Sequence, residues 1–372
     1  MDKLSLPKTE LSSVPKNFWK IVITGGPVGG KSEAIKFARK RLHEMGYRVF
    51  VIEEIATQWF ATGFNDIGKI RESAFETYCN IESEIVLECL QEINRYERLA
   101  KLMPREKFVL LIDRGPMDAA AYMPRDYFMA VLEQNRFSLC DARDNFDGVM
   151  HMVSTADGAE EVWLKAMKDM QNDARWETSP EQTRTLDKRT QQVWVGTPHL
   201  RVIDNSTDFN GKVERLWKAV LHILESCEIE RRYLLWGEPD FRNFEYHKEK
   251  VFLEQMYLCP WGDRIRKRTP EGSGISLYYL TSKIGVGLSR QEKEEQITPF
   301  DYLRLSERRN PDTAVIKKNR YCFLFNNQYY EVDAFIDPRR GLCLMEIELE
   351  DEKQEVEIPP FVQVRKEVTN DL

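Results

Sequence analysis

The sequence predicts two units in tandem: an α/β domain with a parallel sheet over residues 17–225 and an antiparallel β-barrel over 226–360. Three observations predict this. Gly25-Gly26-Pro27-Val28-Gly29-Gly30-Lys31-Ser32 fits the pattern GxxxxGKS and lies between an apolar, β-branched run and a stretch of helical spacing. Apolar runs then alternate with helical stretches, the signature of a parallel sheet covered by helices. Beyond Cys227 the texture changes to short stretches with a charged residue at every second position.

Composition narrows the class. Hydrophobic residues make up 42% and charged residues 31% of 372, which describes a globular chain and not a disordered one. A net charge of −7 argues against a general nucleic-acid binder. The 7 cysteines are scattered and odd in number and form no CxxC pair, so neither a disulfide framework nor a zinc site is expected. No secretory leader, lipidation signal or apolar membrane span is read, and the expectation is a cytoplasmic protein.

Trp19 to Thr24 reads as a buried strand feeding the glycine-rich loop, and Glu33 to Arg39 as the helix after it. Glycines let backbone N–H groups curl around phosphate oxygens, and a helix N-terminus adds partial positive charge. Lys31 is expected on the β- and γ-phosphates, and Ser32 on Mg²⁺. Tyr47 to Ile52 is a second strand ending at Glu53-Glu54. A carboxylate there either takes a proton from an acceptor hydroxyl or holds Mg²⁺ through water. Arg71 to Lys101 reads as one long helix whose Phe75, Tyr78, Ile81, Ile85 and Cys89 form a buried stripe. Lys107 to Ile112 is a buried strand closed by Asp113, a second candidate magnesium ligand, with Arg114 beside it for phosphate. Asp147 to Val153 is a strand and Ala159 to Asp169 a helix. The charged stretch holding Arg175, Arg184 and Arg189 reads as a lid whose arginines neutralise transferring phosphate. Leu200 to Asp204 is the last strand, Asn205 a candidate for the base pocket, and Val213 to Leu224 the closing helix.

In the second unit the period-two sets are Glu228, Glu230 and Arg232; Arg264, Arg266 and Arg268; Arg290, Glu292 and Glu294; Lys318 and Arg320; and Glu346, Glu348 and Glu350. Tyr278 to Lys283 is a further strand. This many charged faces in succession suit a closed barrel with a charged lumen. Its Arg and Lys side chains bind polyanions, and its carboxylates hold a divalent metal against the same phosphates.

Residues 17–225 resemble the P-loop kinase branch that includes deoxynucleoside, thymidylate and nicotinamide-riboside kinases. The likeness rests on GGPVGGKS, on Glu54 with Trp59, on Asp113-Arg114-Gly115 and on the arginine-bearing lid. It implies catalytic roles for Lys31, Glu54, Asp113, Arg114, Arg175 and Arg184. The charge pattern from 227 to about 350 is similar to the CYTH, or triphosphate-tunnel, superfamily. That resemblance places Glu228, Glu230 and Arg232 on its ExExK motif, with Arg in place of Lys. It puts phosphate contacts at Arg264, Arg266, Lys283, Lys318 and Arg320, and acidic positions at Glu292, Glu294, Asp333, Glu346 and Glu348, with Mg²⁺ or Mn²⁺ as the metal. Arg is not equivalent to Lys at a phosphate contact, so Arg232 weighs against turnover more than against binding. The tandem resembles the eukaryotic TRPL translocation defect protein family. This implies ATP or GTP as nucleotide and a polyphosphate or phosphoinositide headgroup as partner. Peripheral membrane contact is expected under the phosphoinositide alternative.

Overall fold

A computed structural model describes residues 17–64, 66–169, 179–226, 229–259, 262–284 and 291–369, with backbone alone at 169, 283–284 and 291–293. Five strands form a parallel sheet in the order β2-β3-β1-β4-β5. They are β1 (Phe18–Thr24), β2 (Arg48–Ile52), β3 (Phe108–Asp113), β4 (Gly148–Met152) and β5 (Leu200–Ile203). Strands β3 and β4 are buried along their whole length, as apolar strands covered on both faces must be. Helices α1 (Lys31–Glu44) and α8 (Phe209–Glu225) cover one face, with Ala34, Ala38, Leu216 and Val220 in a common core with β1. The opposite face carries α4 (Phe75–Lys101) and α5 (Arg125–Gln134). β1 and β3 run side by side, Ile23 opposite Asp113, so the glycine-rich loop and the acid meet at one sheet edge.

The expected single helix from Arg71 is two: α3 (Ile67–Ser73) stops at Ala74 and α4 begins afresh. The break leaves Phe75 outside the buried stripe, at 46% exposure, while Tyr78 and Cys89 are buried as expected. A short helix α2 (Ile55–Ala61) follows β2, and α6 (Glu160–Asp169) and α7 (Pro180–Val193) lie between β4 and β5.

The second sheet is antiparallel and nine-stranded, in the order β10-β9-β8-β7-β11-β12-β13-β6-β14. Its strands are β6 (Glu230–Leu235), β7 (Lys248–Tyr257), β8 (Arg264–Pro270), β9 (Leu277–Ile284), β10 (Gln291–Ile297), β11 (Ile316–Phe325), β12 (Gln328–Asp337), β13 (Cys343–Glu348) and β14 (Val364–Glu367), with α9 (Pro299–Ser306) after β10. The expected closed barrel is not what the pairing gives. Among the described residues β10 and β14 are the two edges. β14 pairs with the edge of β6 that faces away from β13. β14 also lies beyond residue 360, where the sequence placed the end of this unit. Glu350 falls outside β13 and its carboxylate binds Arg215 of α8 at 2.7 Å.

The two sheets share a core. Val251, Leu253, Cys322 and Leu324 of the second pack in one apolar cluster with Trp194, Val195 and Phe146 of the first. A buried charge network crosses the same seam. Arg143 lies 3.1 Å from Glu249 and 2.8 Å from Asp144, and Asp144 lies 3.1 Å from Arg268. Burial pushes the Glu249 carboxyl up, but the His247 hydrogen bond and the Arg143 charge outweigh it and hold it at about 2. The stabilisation from this shift is therefore complete above the ordinary value near 4.5 and is lost as pH falls towards 2. At roughly 1.4 kcal/mol per unit, about 3 kcal/mol rides on it. Thermal melts between pH 5 and 2.5 are expected to fall more steeply for the native chain than for Glu249→Gln, which starts lower and has less to lose.

Candidate functional site

The glycine-rich loop is a phosphate cradle by geometry. Gly25 has φ +136°, and a Cβ there would stand 2.0 Å from the Met152 carbonyl oxygen, so no other residue fits. Gly30, at φ 88°, opens α1. Lys31 is nine-tenths buried and folds back over the loop, with Nζ donating to the Gly25 and Gly26 carbonyls at 3.1 Å each. Burial, with Arg114 adding, lowers its pKa. Ser32 is exposed at the helix start. Asp113 is 5% exposed, and its Oδ1 is buried with no hydrogen-bond partner among the described residues. Burial outweighs the pull of Lys31 and raises its carboxyl to about 6. An orphaned carboxylate oxygen and an exposed hydroxyl are hard oxygen donors of the kind Mg²⁺ takes, so the chemistry of these two residues fits the ion.

Glu54 pairs with the Arg114 guanidinium and accepts from Thr57 Oγ1 at 2.7 Å. Burial raises its pKa, but the charges of Arg114 and Lys31 prevail and bring it to about 2. These groups wall a cavity of about 140 Å³ that runs between Pro27, Phe60, Tyr78, Glu82 and Tyr122. Glu82 is held up at about 7, chiefly by burial.

Several organising residues escaped the sequence reading. Asp118 accepts from Thr24 Oγ1 at 2.5 Å, from the Gly115 N–H at 2.8 Å and from Trp194 Nε1 at 3.0 Å, which fixes the turn after Asp113. Asp187 of α7 accepts from the Gly26 N–H at 2.5 Å and the Ser154 N–H at 3.2 Å, and its Oδ1 lies 3.0 Å from His151 Nε2. An acid inside a charged, weakly periodic stretch gives no sequence signal for such a role. Arg184 binds Glu160 and the Ala156 carbonyl, so this structure does not aim it at the loop. Asn205 donates to the Ser154 and Asp157 carbonyls and accepts from Lys212 Nζ, a role in bracing the loops. Arg175 lies outside the described residues.

The second constellation lines one face of the antiparallel sheet, around a cavity of about 120 Å³. Arg232, Arg264, Arg266, Arg268, Lys318 and Arg320 point into it with Glu230, Glu294, Glu346 and Glu348. Most of these charges meet an opposite one. Arg266 lies 2.6 Å from Glu294, whose carboxyl is pushed up by burial but brought to about 2, chiefly by Arg266. Arg320 lies 2.7 Å from Asp333 and 2.8 Å from Glu346, and also touches Glu331. Lys318 binds Asp333, and Arg232 lies between Glu230 and Glu346. Arg264 donates to Thr281 Oγ1 at 3.4 Å. Among the described residues no three carboxylates, histidines or cysteines converge as a metal cage. Glu228 and Arg290 lie outside the described residues. Lys283 and Glu292 face one another across β9 and β10, with only their backbones described.

A parallel P-loop sheet edge beside an antiparallel, charge-lined sheet defines a chain with two phosphate-directed constellations. Residues 20–212, just over half of the chain, match the AAA domain family, and the chain belongs to it. Over 39% of its length it is also homologous to inorganic triphosphatases. The protein of that name from Acetivibrio thermocellus is 32% identical over 146 residues, with 86% of that relative covered. The one from Nitrosomonas europaea is 37% identical over 150 residues, with 90% covered. Among solved structures, a deoxyadenosine kinase from M. mycoides with bound dATP aligns with 55% of this chain and 99% of its own, at 17% identity and a TM-score of 0.35, a loose likeness. No described helix is long and apolar enough to cross a membrane.

Proposed function

We propose that the chain binds a purine nucleoside triphosphate with Mg²⁺ at the glycine-rich loop, and a triphosphate or polyphosphate chain in the charged cavity. The observation that carries this reading is the convergence of six cations on one cavity, separate from the sheet edge where Lys31 and Asp113 meet. In the first site Lys31 would exchange the Gly25 and Gly26 carbonyls for phosphate oxygens. Ser32 and Asp113 would hold Mg²⁺, which neutralises phosphate charge when bound. Glu54, with so low a pKa, is a weak base, and it would orient an acceptor hydroxyl or water more than deprotonate it. In the cavity the arginines would clamp the phosphates by forked hydrogen bonds. Homology to inorganic triphosphatases supports hydrolysis of that ligand.

The test is phosphate release from inorganic triphosphate and from ATP with Mg²⁺. Arg266→Gln is expected to lower triphosphate turnover about 100-fold, the worth of one or two charge-assisted bonds, and Lys31→Ala to leave it unchanged. Loss with Lys31→Ala instead would refute a separate cavity activity.

One observation favours a second reading, a GTP- and phosphoinositide-binding regulator with little catalysis. The cavity's carboxylates are engaged by its own cations, and Arg232 holds the place of a lysine. Under it, vesicles with phosphoinositide capture the chain and triphosphate turnover is absent.

A further inference from the structure

We infer that the first half of the chain supplies a wall of the charged cavity, and that Arg201 is a phosphate-gripping residue delivered to it from outside the antiparallel sheet. This rests on the reading of that cavity as a phosphate-chain site. Among the described residues β10 and β14 are the edges of the second sheet, and the residues just before β5 reach its cavity. Pro198 and His199 stand among the cavity's lining residues. The Arg201 guanidinium binds Glu348, and His199 Nδ1 lies 3.6 Å from the other oxygen of the same carboxylate. β5 is the edge strand of its sheet, so no further strand of that sheet separates Arg201 from the cavity.

The placement is fixed from both sides. Tyr329, itself a cavity residue, accepts from the Gly196 N–H and donates to the Thr197 carbonyl, at 3.1 Å each, and Arg268 donates to the Gly196 carbonyl. A cleft of about 680 Å³ between the halves is lined by His199, Arg201, Glu294 and Glu348, three of which also line the cavity, so Arg201 stands where the cleft adjoins the cavity. A guanidinium presents a planar fork that matches a phosphate as well as a carboxylate. An arriving phosphate therefore competes with Glu348 for Arg201, and the two anions exchange places on one cation.

The experiment titrates tripolyphosphate into the full chain carrying Lys31→Ala, in the presence of a chelator, so that neither the glycine-rich loop nor a metal contributes. Adding Arg201→Gln is expected to weaken binding about 10- to 100-fold, the worth of a charge-assisted hydrogen bond. Arg201→Lys recovers part of it. Glu348→Gln, which removes the competitor, strengthens binding several-fold, and that gain shrinks when Arg201 is already Gln. A bond that only ties the halves together predicts the same direction for both substitutions, with melting temperatures falling in step. Equal losses from Arg201→Gln and Glu348→Gln, or no change from Arg201→Gln while the parent chain binds, overturn the inference alone. If the parent chain binds no tripolyphosphate, the cavity reading falls and takes the inference with it.

Discussion

Lys31→Ala is expected to abolish nucleotide binding by the first half, weakening it at least about 100-fold, while the fold survives. The ammonium is desolvated, and among the described residues its hydrogen bonds go to two backbone carbonyls of the same loop. Two hydrogen bonds from a charged donor to phosphate are together worth about 3–6 kcal/mol in such surroundings, more than a 100-fold change requires. Removing the side chain also removes a buried charge, so the thermal stability of the free chain is expected to move by no more than about 1 kcal/mol. Fluorescent nucleotide titration reads the first effect and a melt reads the second. A large loss of stability with nucleotide affinity retained would mean that Lys31 is a structural brace and the loop is not the phosphate site.

Arg320→Gln is expected to be the most destabilising single change in the second half. Its side chain is about nine-tenths buried, and it holds Asp333, Glu331 and Glu346 together. Asp333 is 1% exposed. Burial pushes its carboxyl up, while Arg320 and then Lys318 draw it well below the usual carboxylate range. Withdrawing Arg320 leaves buried carboxylates facing one another, with Lys318 on Asp333 and Arg232 on Glu346 as the remaining ion pairs. Breaking a buried ion pair from one side costs about 3–5 kcal/mol, which for a unit of this size lowers Tm by about 10 °C. Asp333→Asn in the same chain is expected to restore part of the loss, because it removes the stranded charge. An Arg320→Gln chain as stable as the parent would mean that these pairs are solvated and that the cavity is not the tight, self-neutralised site described here.

Local signals wrote much of this into the sequence. The strand, glycine-rich loop and helix of the first site are contiguous, so their periods and the GxxxxGKS pattern place Lys31 and Ser32 directly, and the apolar run before Asp113 brings that acid to the same sheet edge. The alternating charges of the second half likewise put Arg264, Arg266, Lys318 and Arg320 on one face, because side-chain direction in a strand has a period of two. What stayed hidden depends on long-range placement. β14, a four-residue strand paired with β6 at an edge of the second sheet, is announced by no local pattern. Asp118 and Asp187 act through bonds to Thr24 and Gly26, 94 and 161 residues away, and neither sits in a motif. The reach of Arg201 to Glu348 spans the two halves, and a lone arginine inside a short apolar strand shows nothing of it.

The central claim is that the chain carries two separate phosphate sites, and crossed calorimetric titrations test it most directly. ATP with Mg²⁺ and tripolyphosphate would be titrated into the native chain, into Lys31→Ala and into Arg266→Gln. Lys31→Ala is expected to lose ATP while a tripolyphosphate isotherm persists, and Arg266→Gln to keep ATP and lose that isotherm. If either substitution removed both ligands, or if all tripolyphosphate binding disappeared with Lys31, the chain would have one phosphate site and the account would be wrong.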